Sequence, residues 1–179
     1  TAGCNFRCKN CQNWSISQFP PEETVNESLP PEAVVSRARR EDCRTIAYTY
    51  TEPSVFYEYM LQTARIAREQ GVRNMYHSNG FLNKEPLAEL CRYLDAADID
   101  LKSFREEFYA TMTGGSLQPV LDTISALAAA GVHLEITNLI IPGLNDSDEE
   151  ICRMYAWIAR ELGPDVPIHV ARCTPMYQL

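Results

Sequence analysis

Apolar and polar positions change their period repeatedly along this chain. Arg44-Thr-Ile-Ala-Tyr-Thr49 has the β-branched and aromatic content of a strand, and Ser54 to Gln70 places its apolar residues at helical spacing until Gly71 ends the pattern. Val72 to His77 reads as a second strand, followed by a helix over Glu85 to Tyr93. Ala97 to Leu101 is a short strand, with a helical stretch near Glu106 to Met112. Leu117 to Ala130 is strongly helical and stops at Gly131. His133 to Ile140 is a strand, Asp148 to Leu162 a helix closed by Gly163, and Val166 to Ala171 a last strand. Short apolar strands separated by helices of about three turns predict repeated βα units around a parallel sheet.

Five such strands are too few for a closed eight-stranded barrel. The chain opens on a cysteine-rich loop with no strand before it and ends just after a strand, which suggests a core cut from a longer protein. An open flavodoxin-like sheet is the structural alternative. In either fold, functional residues collect where strands give way to loops at their C-terminal ends.

Composition narrows the class. The chain is 45% apolar and 22% charged, as expected for one soluble globular domain. No apolar run approaches the roughly 18 residues of a membrane-spanning helix. A net charge of −8 argues against a general nucleic-acid surface but leaves room for a local basic pocket.

The chemistry is concentrated in Cys4-Asn-Phe-Arg-Cys8-Lys-Asn-Cys11. Three thiols within one loop can converge on one metal centre. Zinc prefers a closed tetrahedral set, and its usual pattern is two close pairs far apart. Here no fourth cysteine follows at short spacing, so an iron–sulfur centre with one open iron fits better. A non-catalytic iron–sulfur or zinc binding module remains the alternative. Cys43, Cys91 and Cys152 are expected to be structural thiols within ordinary elements, and the odd total of seven cysteines argues against a disulfide framework. Reduced thiols point to a cytoplasmic location. A buried anionic cluster needs N–H groups or cations nearby, and Arg7 and Lys9 sit between the ligands.

The spacing resembles the CxxxCxxC signature of the radical S-adenosylmethionine (SAM) superfamily. The continuation Cys11-Gln-Asn-Trp14 with Ile16-Ser-Gln18 is similar to the pyruvate formate-lyase activating enzyme-like group and, within it, to the radical SAM enzyme of the AmmeMemoRadiSam system. Asn10 departs from the aromatic residue usual at that position. The resemblance implies a partial (β/α)6 TIM-like barrel in which residues 1–179 are the radical SAM core, 1–14 the cluster loop, and the barrel's first strand is missing from this chain. It implies a [4Fe–4S] cluster on Cys4, Cys8 and Cys11, and reductive cleavage of SAM to a 5′-deoxyadenosyl radical that takes hydrogen from a substrate. A glycyl radical enzyme or another protein is a candidate substrate. The electron would come from an external donor such as flavodoxin or ferredoxin, since no second cysteine cluster is inserted.

Site residues follow at successive strand ends. Glu52, next to Pro53, suits a helix cap, and Tyr50-Thr51-Glu52-Pro53 also resembles the family's Gly-Gly-Glu-Pro segment, which receives the amino group of SAM. Tyr50 stands at a glycine-type position there. Ser78 and Asn79 are expected in the barrel mouth and resemble the family's Thr-Asn-Gly. Asp98, Asp100 and Lys102 put charges on one face of a strand, where they must meet each other or a ligand. The likeness to the family's Asp-Leu-Lys implies that Asp100 meets the SAM ribose and Lys102 its methionine carboxylate. Asn138, with Thr137, precedes an Ile-Pro-Gly-Leu-Asn-Asp run like the family's fifth-strand loop, which implies contact with SAM or substrate. Arg172 and Thr174 are expected near the substrate, although Arg172-Cys-Thr-Pro175 departs from the Arg-Phe-His-Pro of similar proteins. His133 and His169 read as packed, hydrogen-bonded histidines, and Glu149 and Glu150 as helix-start charges.

Overall fold

The computed structural model describes residues 2–179. Five strands form one sheet: β1 (Thr45–Tyr48), β2 (Arg73–Ser78), β3 (Ala96–Asp100), β4 (His133–Ile140) and β5 (Ile168–Arg172). All neighbours pair in parallel, in the order β1-β2-β3-β4-β5. A flavodoxin-like sheet reverses its winding at a switch point. Here the order never reverses, so the five strands form the arc of a partial barrel, and the open-sheet alternative falls.

The helices are α1 (Trp14–Ser17), α2 (Pro31–Arg40), α3 (Tyr57–Glu69), α4 (Lys84–Cys91), α5 (Glu106–Phe108), α6 (Leu117–Ala129) and α7 (Asp148–Glu161). A 3-10 turn, Pro53–Phe56, precedes α3, and a π turn, Tyr109–Thr113, follows α5. Strand parity assigns the layers. Tyr76, Ala97, Ile99, Leu134 and Ile136 face outward and pack against Met60, Ala64, Leu90, Ile124, Leu127 and Ile158. Their neighbours His77, Asp98, Asp100, Glu135 and Thr137 are only half-buried and face the concave side. The apolar core thus lies between sheet and helices, and the inside of the arc is polar.

Helix α2 has no counterpart in the sequence-based expectation. Its composition is Arg-rich and only Val35 and Ala38 are buried, so the apolar stripe is thin. Pro31 at its first turn, Glu32 beside it and Arg37, Arg39 and Arg40 at its end are the surviving signals. Val35 packs with Ala67 and Val72, which ties α2 to α3 and the start of β2. Of the expected structural thiols, Cys91 is half-buried in α4 against the core, whereas Cys43 and Cys152 are exposed; Cys173 is buried away from the loop. His133 and His169 are largely exposed rather than packed, although both bond to Glu135.

Glu150 departs from its expected role at a helix start. Ser147 caps α7 by accepting from the Glu150 N–H at 3.3 Å. The Glu150 carboxylate does not return to the cap. It reaches across to accept from the Ser103 hydroxyl, from the Phe104 N–H at 2.9 Å and from Arg105 Nε at 2.7 Å. The loop that follows Lys102 is therefore held by α7.

Candidate cofactor-binding site

A cavity of about 390 Å³ opens at the C-terminal ends of the strands. Its floor is the cysteine loop, with Cys4, Cys8 and Cys11 all on its wall. The loop is held from beneath by the π turn. The last carbonyls of that turn have no partner within it, and those of Thr113 and Met112 accept from the Arg7 N–H at 2.7 Å and the Lys9 N–H at 3.0 Å. Phe6 is fully buried between the first two cysteines, and Gly115 lies under its ring with no room for a side chain. A second tether is lateral. Asn79 Nδ2 donates to Asn5 Oδ1 at 2.7 Å, and Asn5 Nδ2 donates to the Phe81 carbonyl at 2.7 Å. Neither Asn5 nor the π turn stood out in the sequence, because their importance lies in partners more than 70 residues away.

The sulfurs sit among donors. The Phe6 N–H points at Cys4 Sγ at 3.3 Å, and Ser17 Oγ lies 3.1 Å from Cys11 Sγ. Burial pushes the Cys4 thiol up to about 11 and also raises Cys8. Thiolates in that setting need a strong local positive charge, which bound iron supplies. Arg7, expected beside the ligands, turns its guanidinium to the carbonyls of Cys4 and Phe6. Among the described residues, no three His, Cys, Asp or Glu side chains stand close enough together to hold a single metal ion. Cys4, Cys8 and Cys11 all line the one cavity, so a polynuclear cluster bound there would reach all three.

Above the thiols, the strand ends supply polar groups. Glu52 is buried and acts as the cap of the Pro53–Phe56 turn. Its Oε1 accepts from the Ser54 N–H at 3.0 Å and from Ser78 Oγ at 2.8 Å, while Oε2 accepts from the Asn79 N–H at 2.9 Å. The carboxylate thus joins the ends of β1 and β2 and still borders the cavity. The adjacent Thr51 hydroxyl is buried, lines the cavity and has no hydrogen-bond partner, so it is available to a ligand. Tyr50 stands at the mouth, 74% exposed, with a left-handed φ of 76°.

Asp100 and Lys102 form an ion pair at 2.8 Å on the cavity wall. Burial alone would push the Lys102 ammonium down, but the Asp100 carboxylate beside it and Cys8 hold it above the ordinary lysine value. The Lys102 backbone is pinned on both sides: its N–H donates to the Tyr109 hydroxyl at 3.1 Å, and its carbonyl accepts from Asn145 Nδ2 at 2.6 Å. Asp98 is not on the cavity wall; it pairs with His77 at 3.0 Å and accepts from Thr137.

Thus Tyr50, Thr51, Glu52, Ser78, Asn79, Asp100, Lys102 and Arg172 meet the three cysteines at one cavity. Asn138 does not. Strand parity turns Thr137 and Leu139 to the cavity and Asn138 to the outer face, where its amide donates to the Leu101 carbonyl at 2.8 Å. Thr174 also lies off the cavity wall, exposed beyond the end of β5, while Cys173 is buried against Phe108, Met112 and Ile141.

A partial parallel barrel with a three-thiol loop and a polar cavity at its strand ends defines a cofactor-dependent α/β protein of the iron–sulfur class. The chain belongs to the Radical SAM superfamily, whose model matches residues 1–155. It is 44% identical over 177 residues to an uncharacterised protein of Methanocaldococcus jannaschii, covering 99% of this chain and 52% of that protein. It is 23% identical over 158 residues to the pyruvate formate-lyase-activating enzyme of Clostridium pasteurianum, covering 85% of this chain and 64% of the enzyme. The chain therefore spans about half to two thirds of these relatives' lengths. A Streptococcus suis protein, SuiB, solved bound to S-adenosylmethionine, superimposes with a TM-score of 0.76 at 12% identity, over 99% of this chain and 40% of that one; it shares the fold.

Proposed function

We propose that residues 1–179 are the core of a radical SAM enzyme that uses a [4Fe–4S] cluster and SAM. The observation that carries this reading is the meeting, at one cavity, of three thiols from a single loop with the partnerless Thr51 hydroxyl and the Asp100–Lys102 pair. Cys4, Cys8 and Cys11 would hold the cluster through three of its irons. When bound, cluster and SAM together supply one-electron cleavage of the sulfonium and a 5′-deoxyadenosyl radical able to take hydrogen from a substrate.

The chain's own residues bind, orient and shield. Thr51 and the free side of the Glu52 carboxylate suit the amino group of SAM, with Tyr50, Ser78 and Asn79 completing that wall. Lys102, charged and pinned, suits the methionine carboxylate. Asp100 suits the ribose hydroxyls. The apolar floor around Phe6 keeps water from the sulfurs. Arg172 lines the cavity and suits an anionic group of the substrate.

Similarity to a pyruvate formate-lyase-activating enzyme supports a protein substrate, a glycyl radical enzyme among the candidates. An external one-electron donor of the flavodoxin or ferredoxin type is the proposed partner for reducing the cluster. Among the described residues, no helix is long and apolar enough to cross a membrane, and the free cysteines suit a reducing, cytoplasmic setting. Anaerobic reconstitution with iron and sulfide tests the reading. The reduced protein should show a [4Fe–4S]⁺ EPR signal that changes on adding SAM, and 5′-deoxyadenosine should accumulate. A cluster that ignores SAM would leave only an iron–sulfur binding module.

A further inference from the structure

His77 was singled out by no motif, yet it sits at the centre of the polar wall. It pairs in register with Asp98 on the neighbouring strand, while Asp100 pairs with Thr137 on the next. Thr137 Oγ1 donates to both Asp98 oxygens, at 2.9 and 3.0 Å, and so fixes that carboxylate. His77 Nδ1 lies 3.0 Å from Asp98 Oδ2. A carboxylate only accepts, so Nδ1 carries its proton and the ring is locked in one orientation. That orientation sends Nε2 towards Asp100 Oδ1, at 3.9 Å.

The separation is too long for a hydrogen bond between them. His77 and Asp100 are both on the cavity wall, so the gap between Nε2 and Oδ1 faces the ligand space. Two carboxylates, Asp98 and Asp100, face one ammonium, Lys102, in this cluster, and the Asp98 hydrogen bond holds the His77 ring above its ordinary pKa against the opposing effect of burial. With Asp98 and Asp100 set against Lys102 alone, the cluster has room for a second positive charge; carrying it, the His77 ring offers Nε2–H as a donor, while the Asp100 carboxylate only accepts. The group that satisfies both at once is a hydroxyl, which accepts from the ring and donates to the carboxylate.

We propose that His77 is a ligand-binding residue that shares one ribose hydroxyl of the bound nucleoside with Asp100, its ring aimed by Asp98 and Thr137. This inference rests on the SAM reading above. It assigns specificity to a His–Asp pair across β2 and β3, where the sequence pointed to Asp100 alone.

S-Adenosylhomocysteine, which keeps the ribose and does not react, is a suitable probe by calorimetry on the reconstituted protein, beside its 2′-deoxy and 3′-deoxy analogues. H77F keeps the ring volume without a donor, and H77Q keeps an N–H of similar reach. H77F is expected to weaken S-adenosylhomocysteine roughly tenfold to a hundredfold, while leaving the affinity for one of the two deoxy analogues as in the wild type. H77Q is expected to retain a preference for the hydroxyl-bearing probe. Equal weakening of all three ligands by H77F, or no weakening, overturns the assignment, because a merely structural histidine would not discriminate one hydroxyl. Wild-type protein that binds none of the three overturns the SAM reading itself.

Discussion

Gly115 shows how one residue decides whether the cysteine loop can form. A Cβ built at this position would lie 2.2 Å from Cε1 of Phe6, an aromatic ring that is 1% exposed and cannot swing aside. Phe6 stands between Cys4 and Cys8, so displacing it displaces the thiols. We expect G115A to cost about 1–3 kcal/mol through overpacking and to lower the iron bound per chain after reconstitution, with the helical circular dichroism retained. Wild-type iron content in G115A would show that the loop tolerates a shifted Phe6. Nothing local in Thr113-Gly-Gly-Ser116 reveals this, because the obstructing ring is more than 100 residues away.

At the scale of elements, the decisive joint is between α7 and the loop after β3. Glu150 is nearly buried and collects three donors from Ser103, Phe104 and Arg105. Burial by itself would raise its carboxyl, but those hydrogen bonds hold it below the ordinary glutamate value. A depressed folded-state pKa stabilises above the unfolded value of about 4.3, and that stabilisation is lost as pH falls through the lower folded value. E150Q should therefore cost about 2–4 kcal/mol at neutral pH, as for a broken buried pair. The gap between E150Q and wild type should narrow below about pH 4, measured by urea denaturation. A gap that stays constant through that range would mean the charge contributes nothing. The same loop carries Lys102, so the variant is also expected to bind S-adenosylhomocysteine more weakly.

Over the whole molecule, the cysteines sort by burial. Cys43 and Cys152 are exposed, Cys91 is half-buried and Cys173 is buried. Brief maleimide labelling followed by mass spectrometry should modify Cys43 and Cys152 in both unreconstituted and reconstituted protein. Cys4, Cys8 and Cys11 should lose reactivity together once iron and sulfide are added. Protection of Cys43 or Cys152 on reconstitution would reveal a second metal site and refute the single-loop assignment.

The sequence by itself determined the βα alternation and the strand-end segments, because each depends on periodicity and turn residues that act over a few positions. It also determined the three-thiol loop, since closely spaced cysteines need no distant partner to be recognised. It could not show α2, whose apolar stripe is too thin to stand above its arginines. Only the tertiary structure decided which strand-end residues reach the cavity. Thr137 and Asn138 are adjacent and both polar, and the pleat of β4 sends one inward and the other to the core side. Glu150 read as a helix-start charge until the fold brought Ser103 to it. His77 became part of the site only when parallel pairing set Asp98 beside it and Asp100 above it. Side-chain chemistry is written locally, but the convergence of charges from three strands depends on register, which is a property of the assembled sheet.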